Sequence, residues 1–229
     1  MTIFNLKKIA ALGCLLVVAG LAHAENTRTY EVTITNITKG QTFTPQLLAT
    51  HDRHVEFFAL GHPASAGVES MAESGSTAAL EEEFMAHWYQ VSEVQTIPGL
   101  LGPGEHVTTT IQASSRHRFL SLAAMLIPTN DTFVGLVGVS LPWRGSRTYV
   151  ALAYDAGTEL NDQNCNNIPG PTCMGVGPSP DGPNPGDEGY VYVSNGFHDL
   201  PDVAGAVILG PLNYDWRNPV AKLVVTRVH

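Results

Sequence analysis

Short runs in which apolar and polar residues alternate dominate the chain. Tyr30, Val32 and Ile34 alternate with Glu31, Thr33 and Thr35, the pattern of a strand with one buried and one wet face. Val107, Thr109 and Ile111 share a face in the same way. Residues 45–50, 54–60, 118–127, 190–193 and 221–228 read as further strands, rich in the β-branched and aromatic residues that strands prefer. The most pronounced pair lies at the centre: an apolar run over 133–141 and a second over 148–154, separated by the polar turn Arg144, Gly145, Ser146 and Arg147. If these pair as an antiparallel hairpin, Asp131, just before the first run, comes beside Asp155 and Glu159, just after the second.

Helical character is confined to 64–89. Ser65 is placed to cap a first short helix that Gly75 ends, and Ser76 or Thr77 to cap a second. Glu81, Glu82 and Glu83 then sit near the second helix's N-terminus as a solvated first turn. Phe84, Met85 and Trp88 are expected to pack this insertion against the strands. Residues 98–104 form a Pro- and Gly-rich link, and 163–187 hold six prolines and five glycines, the composition of a long surface loop. About eight short strands, turns between them and one helical insertion predict an all-β fold, an antiparallel β-sandwich.

Residues 1–24 stand apart. Lys7 and Lys8 precede an apolar run that ends in Ala22-His23-Ala24, a small-residue cleavage pattern, so 1–24 read as a signal peptide and 25–229 as one sandwich domain. The apolar run is short for a bilayer span, and Cys14 comes too early in it for a lipid anchor. Export, to the periplasm or outside the cell, follows. Without Lys7 and Lys8, ten Lys and Arg face 21 Asp and Glu, a net charge of −11. Such a chain is repelled overall by nucleic acid and by anionic membranes, so neither nucleic-acid binding nor stable membrane insertion is expected. Cys165 and Cys173 are the cysteines left in the mature chain and flank Asn166-Asn-Ile-Pro-Gly-Pro-Thr172, so under oxidising conditions a disulfide closing this small loop is expected. Their spacing is not C-x-x-C, and no nearby histidine completes a zinc set.

Asp131, Asp155 and Glu159 supply carboxylate oxygens, the donors a calcium ion takes. Gly157 permits the sharp bend that aims Asp155 and Glu159 at one centre. Without a cation, two carboxylates about 4 Å apart repel by roughly 4 kcal/mol at an effective dielectric near 20. From residue types alone, solvated acidic loops explain the same residues.

A resemblance adds to this reading. The segments Tyr30-Glu-Val-Thr-Ile-Thr-Asn36, Pro128-Thr-Asn-Asp131 with Phe133-Val-Gly135, Asp155-Ala-Gly-Thr-Glu159, and Asn213-Tyr-Asp-Trp-Arg-Asn-Pro219 leading into the last strand resemble the spondin domain family. This is the N-terminal domain of F-spondin and mindin, which also occurs as free-standing bacterial exported proteins. The resemblance implies a C2-like sandwich of about eight strands that binds Ca2+ through Asp131, Asp155 and Glu159. Glu159 stands where animal members have Asp. It also implies a role in extracellular adhesion or recognition, with a protein or polysaccharide as ligand; the thrombospondin repeats that accompany the domain in animals are absent from this chain.

Other chemistry is thin. If they lie in one strand, His51 and His54, three apart around Asp52, fall on opposite faces, which argues against shared zinc ligation. His198 and Asp199 are candidates to approach the acidic end. Trp216 is expected to pack and Arg217 to pair. No G-x-S-x-G or H-E-x-x-H motif occurs, and Gly175-Val-Gly177 opens no helix. The sequence therefore predicts a non-enzymatic calcium-binding recognition module. The alternative is a cell-envelope hydrolase with Asp131 or Asp155 as base, assisted by His198 or a metal.

Overall fold

The computed structural model describes residues 27–173 and 186–228. The expected leader over 1–24, Gly175-Val-Gly177 and most of the proline-rich half of the long loop lie outside them. The alternating run at the start is strand β1 (Arg28–Asn36), followed by β2 (Thr42–Phe43) and β3 (Gln46–His51). Helices α1 (Ala66–Ser74) and α2 (Ala78–Met85) come next. The chain continues through β4 (Val91–Ile97), β5 (His106–Ala113), β6 (Phe119–Ile127), β7 (Thr132–Ser140) and β8 (Ser146–Asp155). A 3-10 turn (Pro171–Cys173), β9 (Tyr192–Val193), the short α3 (Pro211–Tyr214) and β10 (Ala221–Arg227) complete it. The fold is all-β, as expected, with ten antiparallel strands among the described residues rather than about eight.

The main path of the sheet runs β4-β3-β6-β7-β8-β10-β1-β5, with β2 added to β6 and β9 to β8. The sheet curls until β4 and β5 meet. Side chains close that seam: Gln95 Nε2 donates to the Thr110 carbonyl at 2.9 Å, the Gln112 amide to Glu93 Oε2 at 2.5 Å, and the Ser114 amide to Ser92 Oγ at 3.1 Å. The result is a flattened, nearly closed sandwich whose interior holds one core, including Val32, Ile34, Leu48, Leu122, Val134, Leu223 and Val225.

A second core lies outside the sheet, under the helices. Val68, Met71 and Ala72 of α1 and Leu80 and Phe84 of α2 follow helical spacing, and they meet Leu47, Ala49, Ala123 and Phe133. This explains why β6 does not alternate. Leu120, Leu122, Ala124 and Leu126 face the interior while Ala123 faces the helices, so both faces are dry. Leu122→Ala empties space in the larger core and should cost about 2–5 kcal/mol, read as a lower urea midpoint at unchanged slope.

The helical insertion starts as expected. Ser65 Oγ accepts from the Val68 amide, and Gly75, at φ +73°, ends α1. Elsewhere the structure corrects the expectations. Thr77 makes no cap bond; its hydroxyl meets that of Thr96 at 2.8 Å. Glu83 is not merely solvated, since it accepts from Ser65 Oγ and the Gly67 amide and so holds the start of α1. Phe84 packs, but Met85 and Trp88 are exposed. Residues 54–60 form no strand. Asp52 accepts from the His54 amide at 2.8 Å, which turns the chain, and the consecutive Phe57 and Phe58 are both buried, which alternation forbids. In their place β4 forms the edge beside β3. Among the described residues no helix is long and apolar enough to cross a membrane.

Candidate metal centre

The β7–β8 hairpin gathers the acidic residues at one end of the sheet. Thr132 pairs with Asp155, and the Ala156 amide donates to the Asp131 carbonyl at 3.2 Å. Asp131, Asp155 and Glu159 are all buried, none more than 2% exposed. Gly157 makes the bend between the last two at φ +66°. A Cβ there would lie 2.3 Å from the Tyr190 carbonyl oxygen, so the loop needs glycine for space as well as for conformation.

Hydrogen bonds fix part of the set. Asp131 Oδ2 accepts from the amides of Thr158 and Glu159, at 2.8 and 3.1 Å, and from Thr158 Oγ1 at 3.3 Å. Asp155 Oδ1 accepts from the Gly157 amide at 3.0 Å. Asn161 Nδ2 donates to Asp155 Oδ2 at 3.0 Å and to the Tyr192 hydroxyl at 3.1 Å. Asp131 Oδ1 and both carboxylate oxygens of Glu159 are buried and accept from no donor. Buried polar atoms are normally satisfied, so three orphaned acceptors in one loop cluster need an explanation.

The electrostatics agree. Burial lifts the Asp131 carboxyl to a pKa of about 6, against the pull of the Thr158 and Glu159 bonds. Burial and then the Asp131 charge lift Asp155 to about 8. Glu159 also rises to about 8, through burial first and then the charges of Glu73, Asp131 and Asp162. Burial, with Asp155 second, pushes the Tyr192 phenol well above its ordinary range. These carboxyls repel one another and lack compensation, the condition a bound cation relieves.

The donors are hard oxygens, which suit calcium and not zinc. Among the described residues, no three His, Cys, Asp or Glu side chains form a preassembled metal centre. The orphaned oxygens of Asp131 and Glu159 fit a cation, and a complete shell requires the carboxylates to draw in.

Some members of the site were missed in the sequence. Glu73 reaches the neighbourhood of Glu159 from α1, a helix distant in the chain, and no local pattern marks it. Asn161 is two residues past Glu159, and its amide in that loop is the local signal for its role on Asp155. Glu188 and Tyr192 arrive from beyond the long loop. Together with Asp155, Asn161 and His198 they line a hollow of about 260 Å³. His198 therefore does approach the acidic end, held through its backbone: Gln163 Nε2 donates to its carbonyl at 2.8 Å and its amide to Gln163 Oε1 at 2.6 Å.

Asp162 braces the loop, accepting from Asn130 Nδ2, the Asn164 amide and Asn167 Nδ2. Cys165 and Cys173 are bonded, S–S 2.08 Å, as expected. The two histidines part company. His51 is buried against Ser121 Oγ at 2.8 Å, its pKa lowered chiefly by burial, while His54 is exposed beside Asp52. Trp216 is buried and Arg217 pairs with Asp215.

A model of the family described as Spondin_N matches residues 24–164. No curated protein matches the chain. The match covers more than half of the chain, which belongs to the spondin N-terminal domain family. It stops short of β10, the strand that lies between β8 and β1.

Proposed function

We propose that this spondin-family chain is an exported, non-enzymatic recognition domain, 25–229, whose acidic end binds calcium through Asp131, Asp155 and Glu159. The observation that carries the reading is the set of three buried carboxylate oxygens, on Asp131 and Glu159, with no hydrogen-bond donor. Family membership supports extracellular recognition or adhesion, and the Cys165–Cys173 bond suits an oxidising compartment.

Bound there, calcium would supply positive charge that offsets the repulsion among the carboxylates. The chain's own residues do the rest. Gly157 bends the loop, Thr158 and Asn161 orient Asp131 and Asp155, and Asp162 ties the loop to Asn130 and Asn167. The ion's role is to order the loops that a partner reads.

Hydrolysis fits less well. Asp155 has both oxygens engaged, by Gly157 and Asn161, and Asp131, whose Oδ1 is free, is fully buried at 0% exposure, out of a substrate's reach.

Titration calorimetry of the EDTA-stripped protein with calcium is the test. One ion should bind to the wild type, and Asp155→Ala and Glu159→Gln should each weaken binding at least tenfold. Calcium at one hundred times its dissociation constant should stabilise the fold by about 2.7 kcal/mol. No heat and no shift in unfolding would end the calcium reading.

A further inference from the structure

Beyond the acidic end, the topology sorts the basic residues. Strands β7 and β8 meet in the turn around Arg144 and Gly145, at the opposite end of the sheet from Asp131 and Asp155. The register carries the other strand ends to the same place. Arg227 leaves β10 with its amide on the Gly145 carbonyl, and Arg28 opens β1 opposite Ala113, the last residue of β5. The Leu141 amide donates to the Arg118 carbonyl, just before β6, and His51 closes β3 opposite Phe119.

Ten Lys and Arg lie outside the leader, and seven of them, Arg28, Arg53, Arg116, Arg118, Arg144, Arg147 and Arg227, sit at this end. The chain is acidic overall, −9, so the segregation is pronounced. Among the described residues, no carboxylate forms an ion pair with Arg28, Arg53, Arg116, Arg118, Arg144 or Arg147. Of the acidic groups nearby, Asp52 is held on His54 and Glu93 on the Gln112 amide; Glu56 is exposed.

The cluster has a fixed centre. Trp143, 67% exposed, has two guanidiniums beside its ring, with Arg28 4.5 Å and Arg227 5.5 Å from its ring centre. Arg227 Nη1 also donates to the Trp143 carbonyl. An exposed tryptophan kept on a surface by arginine stacking is costly to leave wet and suited to a ligand with both anionic groups and a hydrocarbon ring face. By strand alternation Arg147, Arg227 and Arg28 lie in the same face as Tyr149, Val225 and Tyr30, on three adjacent strands. Arg147 lies opposite Val225 and Arg227 opposite Tyr30, so each arginine is offset by two residues from the next; at about 7–8 Å per diagonal step the row spans about 15 Å, longer than one sulfate or phosphate. The ligand must therefore carry repeated anions.

We propose that this end binds an anionic polysaccharide, with the Arg147–Arg227–Arg28 row and Arg144 taking successive sulfate, phosphate or carboxylate groups and Trp143 taking a sugar ring. A single polymer strand can reach one end of the molecule alone. A broad anionic membrane would also meet the field of the acidic remainder. The choice of polysaccharide over nucleic acid rests on the extracellular recognition reading above.

The test is binding of the mature protein to dextran sulfate, with neutral dextran, phosphatidylglycerol vesicles and a DNA duplex alongside. Dextran sulfate should bind, with affinity falling steeply as salt rises, and neutral dextran should not. Arg144→Ala/Arg147→Ala, on an exposed turn, should weaken binding roughly tenfold and flatten the salt dependence. Lys39→Ala/Lys222→Ala, an equal charge loss elsewhere, should leave binding unchanged. Asp155→Ala should also leave it unchanged, which separates this site from the calcium reading. Equal losses in the two double variants, or no binding to dextran sulfate, would overturn the proposal. So would tighter binding to the vesicles or to DNA.

Discussion

Stripped of calcium, the protein should become less stable as the pH rises from 5 to 8, and saturating calcium should remove that slope. Asp155 and Glu159 keep their protons to about pH 8 in the fold. In the unfolded chain they lose them near pH 4. Between those values the folded state binds more protons, so raising the pH favours unfolding. The stabilisation is full below the unfolded pKa and is lost as the pH passes through the folded one. One such carboxyl across three pH units is worth on the order of 4 kcal/mol.

Calcium cancels the dependence because it competes with those protons, so its affinity, and the stability it adds, grow as the pH rises by as much as the stripped fold loses. Asp155→Asn should flatten the EDTA profile and make the stripped protein more stable than wild type at pH 8. Urea midpoints at several pH values, in EDTA and in calcium, measure all of this. A flat profile in EDTA, or the same slope in both buffers, would mean that the buried carboxyls are already compensated.

Gly157→Ala should destabilise the protein by about 3–5 kcal/mol and abolish calcium binding. The new methyl would sit 2.3 Å from the Tyr190 oxygen and 2.9 Å from two further backbone atoms of the same residue. Neither strand of the loop can yield cheaply, because the Gly189 amide is bonded to the Gly157 carbonyl at 2.9 Å. The positive φ adds roughly 1–2 kcal/mol. Gly145→Ala is the control. Its φ, +64°, is nearly the same, but no atom lies within 4 Å of its Cβ position, so only the conformational penalty should appear. If the two variants unfold alike in urea, crowding at Tyr190 is not what makes Gly157 necessary.

Much of this architecture is legible in alternation. β1 and β5 show it; the β7–β8 hairpin is legible instead as two apolar runs split by a polar turn, and it is what brings Asp131 to Asp155. Where legibility fails, the cause is covering. β6 is buried on both faces, so its apolar run identifies a strand without saying which residues face which core. β4 is buried only at its two ends, so its middle carries no pattern. Phe57 and Phe58 mimic a strand but fill the space beneath the helices as a turn. Trp88 reads as a core residue but stands exposed, stacked on Tyr89. At the acidic site, the hairpin's own residues are readable in sequence, while Glu73, Glu188 and Tyr192 are brought in by tertiary packing.

The position of β10 governs the order in which the molecule can be made. It lies between β8 and β1, pairing with both, although among the described residues it is the last strand and β1 the first. A nascent chain that ends before residue 221 has two part-sheets with raw edges on β8 and β1. Such edges invite pairing with other chains. Joining the two halves requires closing nearly the whole polypeptide into a loop, a non-local step of the kind that makes β proteins fold in milliseconds to seconds. The fold therefore completes only once β10 has been made, and a chain held unfolded up to that moment has lost nothing by waiting.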